Sequence, residues 1–163
     1  MRARTRRRHP APVLERLVPV PGAPGPRGPV DDLVGCDPGG APVRVALGAG
    51  AVRTLLLFLS TGCDGCRPFW PAAEGDPVAL GLGAGDRVVV VARDPGREDG
   101  AMLARLAGTG CVVMSSAAWD RHRVSGPPFY VLVGPVGQGV VTEGVAVAVA
   151  QVAEDVRRAT EAG

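Results

Sequence analysis

A chain of 163 residues holds one domain with a real core and little beyond it. Hydrophobic residues make up 46% and aromatics only 4%, so that core has to be built from Val, Leu and Ala; lysine is absent and every basic side chain is an arginine. The net charge of +2 hides a split: residues 1–30 carry seven arginines and one acid, whereas the remainder carries eleven arginines and fifteen acids, a net −4. No apolar segment reaches the roughly 18 residues that a membrane-spanning helix requires, which argues against an integral helical membrane protein.

The chain opens with "MRARTRRRHPAP", which is charged like the start of a signal peptide, but the following "VLERLVPVPGAPGPRGP" is broken by charge and proline. It lacks the apolar stretch that export needs, so the chain as written is expected to be cytoplasmic. An upstream start carrying an anchor would instead make it periplasmic or extracytoplasmic and membrane-tethered. Seven prolines and no periodicity make residues 1–30 a flexible, solvated leader with polyproline II character, ahead of a domain over 31–163. A basic arm can touch nucleic acid or anionic lipid. No aromatic or paired motif accompanies the charge here, so no nucleic-acid partner is expected, and membrane contact of the leader is the lesser reading.

Next, "VDDLVGCDPGGAPVRVALG" places two short apolar runs around Asp37-Pro38-Gly39-Gly40, the punctuation of a hairpin. Buried-strand runs follow at Thr54–Ser60, Val88–Ala92 and Tyr130–Val133, with a weaker one at Cys111–Met114. None alternates polar with apolar, as suits strands covered on both faces. Helices are expected at Arg67–Leu80 (interrupted), Gly96–Ala107, Ser116–Arg121 and Val145–Thr160. "GPVGQG" turns the chain from Tyr130–Val133 into a last strand at Val140–Thr142. The order gives an α/β sandwich with a mixed sheet: a βαβ first half, then an antiparallel hairpin and a closing helix.

The chemistry sits in "LLLFLSTGCDGCRPFW". A structural zinc site needs four ligands, usually from two paired knuckles, and only one Cys-x-x-Cys is present; His9, His122, Cys36 and Cys111 stand apart. No metal is expected. The pair lies where a buried strand breaks at Ser60-Thr61-Gly62 and a helix begins. Free N–H groups and positive partial charge at a helix start lower the pKa of a thiol, which makes Cys63 the attacking thiolate. Cys66, one turn on, is placed to resolve a mixed disulfide. Asp64 opposes thiolate formation and Arg67 favours it. Phe69, Trp70, Met102 and Met114 read as packing, and Cys36 and Cys111 as buried apolar thiols. A second disulfide between those two requires the hairpin to lie close to the Cys111–Met114 strand.

These residues resemble the thioredoxin-fold thiol–disulfide oxidoreductases, the TlpA-like group above all, over about Asp32 to Ala159. "FLSTGCDGCRPFW" is similar to the strand–Cys-x-x-Cys–helix segment of that family, with Pro71 where thioredoxins carry a helix-kinking proline. "VSGPPFYVLV" resembles the segment around the family's cis-proline and puts that role on Pro128; "GPVGQGVVTEG" resembles the closing β-hairpin. Trp119 resembles an aromatic lid over the sheet edge, in a structural role. The resemblance implies a thioredoxin-like three-layer α/β/α sandwich with a mixed central sheet and an extra N-terminal β-hairpin. It implies catalytic Cys63, Cys66 and Pro128, with Gly62, Asp64, Gly65 and Pro127 along a substrate groove. It also implies a monomer that needs no cofactor, because two sulfurs carry the electrons; its partners are a protein disulfide or dithiol and an unidentified electron donor.

The chain departs from the pattern in four places. Gly62 stands where thioredoxins carry Trp, Asp64-Gly65 replaces Gly-Pro, and Leu57 replaces a buried acid six residues before the first cysteine. Pro127, lacking an N–H, leaves only a carbonyl to pair with a substrate strand. These departures keep two alternatives open: a non-catalytic thioredoxin-like binding module and, on the partial match of Ser60-Thr61-Gly62, a thiol peroxidase.

Overall fold

The computed structural model describes residues 30–163. The expected leader lies outside them except for Val30, which packs against the core. Seven strands form one sheet: β1 (Leu33–Cys36), β2 (Pro42–Val45), β3 (Thr54–Phe58), β4 (Arg87–Ala92), β5 (Val112–Met114), β6 (Phe129–Val133) and β7 (Val140–Val145). Four α-helices accompany them: α1 (Phe69–Glu74), α2 (Gly100–Ala107), α3 (Ser116–Arg121) and α4 (Val149–Glu161). Two 3-10 turns, Asp64–Cys66 and Pro77–Leu80, complete the set among the described residues. The sheet order is β2-β1-β5-β4-β3-β6-β7. Strands β3, β4 and β5 run parallel, and β6 and β7 return antiparallel beside β3.

The continuous apolar runs are explained by burial on both faces. Successive side chains of a strand point to opposite sides. Leu55, Leu57 and Leu59 enter one core with Phe69, Leu103 and Val156, drawn from α1, α2 and α4. Leu56 and Phe58 enter the other with Ala118 and Trp119 of α3 and with Leu33 and Val45 of the hairpin. The expected sandwich with a mixed sheet is therefore the observed one, with its helices shared unequally between the two faces.

The N-terminal hairpin turns at Asp37–Gly40, where Asp37 Oδ1 accepts from Ala41 N at 2.9 Å and Gly40 takes φ +89°. Gly35 lets β1 approach β5, because a Cβ there would overlap the Met114 carbonyl. Two element ends differ from expectation. The last strand runs on to Val145, because Glu143, Gly144 and Val145 pair with Val131, Tyr130 and Phe129, which delays α4 to Val149. The second helix starts at Gly100 rather than Gly96, because Arg97 and Glu98 bond back to Asp94 O in a turn and Asp99 caps Ala101 and Met102.

Two expectations about side chains are corrected. Trp119 is not a lid at the sheet edge: it is buried in the second core, edge-on to Phe58 at 5.5 Å, with the Arg93 guanidinium 4.4 Å over its ring. Cys111 is exposed rather than buried, and Cys36 is half-buried; both are free. The hairpin does lie beside β5, but the register sets Cys36 opposite Met114. Cys111 is three residues earlier, about 10 Å along the strand, beyond the roughly 7 Å Cα reach of a disulfide.

Candidate active site

Strand β3 ends in the middle of the sheet, and the chain leaves it through Leu59, whose N–H makes a last bond to Val91 O. Cys63 follows in an extended conformation (φ −104°, ψ 114°) with its N–H on Ser60 O at 3.3 Å. The next residues form a 3-10 turn rather than an α-helix, Cys66 donating to Cys63 O and Arg67 to Asp64 O. Two prolines account for this. Pro68 and Pro71 have no N–H, so the i→i−4 bonds that would make the first turns α-helical are missing, and α1 begins at Phe69. The interrupted helix expected over Arg67–Leu80 starts two residues later, at Phe69, and Cys63 precedes a 3-10 turn.

Cys63 and Cys66 are joined as a disulfide with their Cα atoms 5.3 Å apart. The two sulfurs are not equivalent. Cys63 is half-buried, whereas Cys66 is 0% exposed and belongs to the α1 side of the core. Asp64 and Arg67 pair with each other at 3.4 Å, with side chains 96% and 82% exposed. Charges held in that much water act weakly on the thiols.

The Pro127–Pro128 peptide bond is cis. Pro128 lies over the disulfide loop: a Cβ built on Gly65 would sit 3.4 Å from Pro128 Cδ and 4.0 Å from Cys63 Sγ. A methyl at 65 would make only ordinary van der Waals contact there, so the spacing locates the proline ring beside the loop without requiring glycine. The fold brings Cys63, Cys66, Gly65 and Pro128 together, with half-buried Pro127 preceding and exposed Gly62 beside Cys63. No atom lies within 4 Å of a Cβ built on Gly62, so approach from solvent is unobstructed there. Asp64 projects away. Beyond Pro128, its carbonyl accepts from Ala146 N at 3.0 Å, and Val145 and Val147, 61% and 79% exposed, flank that contact.

Leu57 is fully buried, paired with Val90 and Tyr130, and supplies no proton beneath the sulfurs. Burial pushes the Tyr130 phenol up to about 12, the Asp155 carboxylate adding to the effect while Thr142 opposes it. Tyr130 donates to Asp155 at 2.9 Å and acts as a strut between β6 and α4.

One residue was not singled out in the sequence. Glu98, only 8% exposed, accepts from the Thr61 N–H at 3.3 Å and the Thr61 hydroxyl at 2.7 Å through the same oxygen, Oε2. The only signal available in advance was an acid in the loop after a strand expected next to β3.

No family model and no curated protein matches the chain. Solved structures do. A secreted Mycobacterium tuberculosis disulfide oxidoreductase homologous to E. coli DsbE is 17% identical, with 77% of this chain and 95% of that chain covered at a TM-score of 0.59. A putative thiol:disulfide interchange protein DsbE from Chlorobium tepidum is 20% identical, with 81% and 92% covered at 0.60. The thioredoxin domain of a thiol-disulfide oxidoreductase from Bacteroides vulgatus is 18% identical, with 83% and 95% covered at 0.58. Agreement over about four-fifths of the chain, with the strand order and the cis Pro127–Pro128 bond beside the cysteine pair, makes this a protein of the thioredoxin fold.

Proposed function

We propose that the chain is a thiol–disulfide oxidoreductase acting on protein disulfides. The observation that carries this is the asymmetry of the pair: an accessible Cys63 and a buried Cys66 at one strand end, with Pro128 packed against the loop. In the reduced protein the Cys63 thiolate attacks one sulfur of a client disulfide. A Cys63–client bond forms and the client's second sulfur leaves as a thiolate. Cys66, losing its proton to solvent, attacks Cys63 Sγ and releases the client as a dithiol. Two electrons pass to the client, and an electron donor reduces the Cys63–Cys66 disulfide back to the dithiol. Similar structures include a disulfide oxidoreductase and a putative thiol:disulfide interchange protein, which supports the same chemistry here.

The protein acts as a monomer in this reading. Free, exposed Cys111 and unpaired Cys36 suit a reducing compartment, where the direction of flow is client reduction. Among the described residues no helix is long and apolar enough to cross a membrane.

A second reading, a binding module with a static disulfide, is favoured by Pro127, which denies a client strand its main-chain donor. Insulin-disulfide reduction with excess dithiothreitol separates the two. The wild type is expected to turn over and both Cys63→Ser and Cys66→Ser to fall to the uncatalysed background; mixed with insulin without dithiothreitol, the pre-reduced Cys66→Ser variant is expected to hold a mixed disulfide with it. A wild type with no turnover under any dithiol donor leaves the binding module standing.

A further inference from the structure

The segment that presents Cys63 is held by little. Cys63 makes no side-chain capping bond, a Cβ on Gly62 would meet nothing within 4 Å beyond its chain neighbours, and from Ser60 to Cys63 the hydrogen bonds to side chains among the described residues are the two from Thr61 to Glu98. Glu98 itself is anchored at both ends of its loop. On one side, Asp94 and Ser116 exchange hydrogen bonds at 2.8 and 3.0 Å, and Glu98 N bonds to Asp94 O. On the other, Asp99 caps α2. A carboxylate is costly to bury unless it is well hydrogen-bonded, and this one directs an oxygen at a loop two residues from the attacking sulfur.

We infer that Glu98 is a positioning residue for the dithiol: a strap from the β4–α2 loop that holds Thr61, and through it Cys63, within reach of Cys66. A tethered Cys63 meets Cys66 at high effective concentration; a released one samples positions from which the ring does not close. The strap bears on the oxidoreductase reading through turnover, but its effect on ring closure is measured without a client.

The test is the equilibrium of Cys63–Cys66 against glutathione at fixed pH, in the full chain, for the wild type, Glu98→Ala, Glu98→Gln, Thr61→Val and the Thr61→Val/Glu98→Ala pair. The constant for disulfide formation is expected to fall by about tenfold in Glu98→Ala, by a smaller factor in Thr61→Val, which keeps the bond from the residue-61 N–H, and in the pair no further than in Glu98→Ala alone, because that substitution already removes both bonds. Glu98→Gln, whose amide oxygen accepts the same two hydrogens, is expected to stay within about threefold of the wild type. Urea unfolding of the oxidised proteins runs alongside; a merely structural role lowers stability and leaves the glutathione constant unmoved.

An unchanged constant in Glu98→Ala overturns the inference, as do additive effects in the pair. So does a glutamine variant as weak as alanine, since charge rather than the strap would then be acting. If Glu98→Ala does not fold, Thr61→Val, which keeps the shape and drops the hydroxyl, decides alone. Failure of the wild type to reduce insulin defeats the oxidoreductase reading and leaves this measurement intact.

Discussion

At the residue scale, Pro127 sets the clearest contrast with a peptide-gripping groove. In the proposed reaction a client strand laid beside Cys63 would find the Pro127 carbonyl but no N–H, so one of two main-chain bonds would be absent. Val145 and Val147 are exposed on that side, flanking the Ala146 N–H bond to the Pro128 carbonyl. Pro127→Ala restores the donor. It is expected to lower KM for a disulfide-containing peptide by about three- to tenfold with kcat little changed, the worth of one hydrogen bond at a binding surface. An unaltered KM would mean that clients do not run along residue 127. The two thiols could be read in advance because their cue is local: an apolar run, a break, and cysteines at a spacing of three. Glu98 could not, because its partner is 37 positions away and nothing in "DPGREDG" says which acid turns inward.

Among the elements, the parallel pair β3/β4 carries the site at one end and an ion pair at the other. Arg53, just before β3, donates to Asp86 from its backbone N–H and Nε, each at 2.9 Å, and from Nη2 at 2.5 Å, and Gly83 N adds a fourth bond at 2.9 Å. Burial pushes the Asp86 carboxyl up, but the Arg53 hydrogen bonds, the Gly83 amide and the guanidinium charge together hold it below its usual 3.8. Its folded pKa is depressed, so the stability it contributes is complete above the unfolded value and is lost as pH falls through the folded one. Asp86→Ala strands Arg53, whose side chain is 18% exposed, and is expected to cost about 3 kcal/mol in urea unfolding near neutral pH. A loss under about 0.5 kcal/mol would show the pair to be solvated like a surface bridge. The start of α1 teaches a related lesson. The proline positions were legible, yet the conversion of the cysteine segment into a 3-10 turn depends on both prolines removing donors from consecutive turns.

For the whole molecule, the sheet separates two cores that share no side chains. Leu33 of the hairpin lies in one and Leu103 of α2 in the other. Each →Ala change is expected to lower the unfolding free energy by about 2–5 kcal/mol, with the double variant close to the sum because the sites share no partners. Fluorescence and far-UV circular dichroism should still trace one transition, since both faces of one sheet are lost together. Separate transitions would make the hairpin an independent unit docked on the rest.

Residue order alone determined the fold class, the strand cores and the identity of the paired thiols, because apolar runs, turn residues and cysteine spacing act through neighbours in the chain. The tertiary structure decided which strands lie side by side, that Cys36 and Cys111 stand too far apart to bond, that Trp119 is interior, and that a distant glutamate ties down the loop before Cys63. Those outcomes follow from register and from the meeting of two loops at adjacent strand ends. Contacts of that kind depend on the closed path of the whole chain, and no local pattern encodes them.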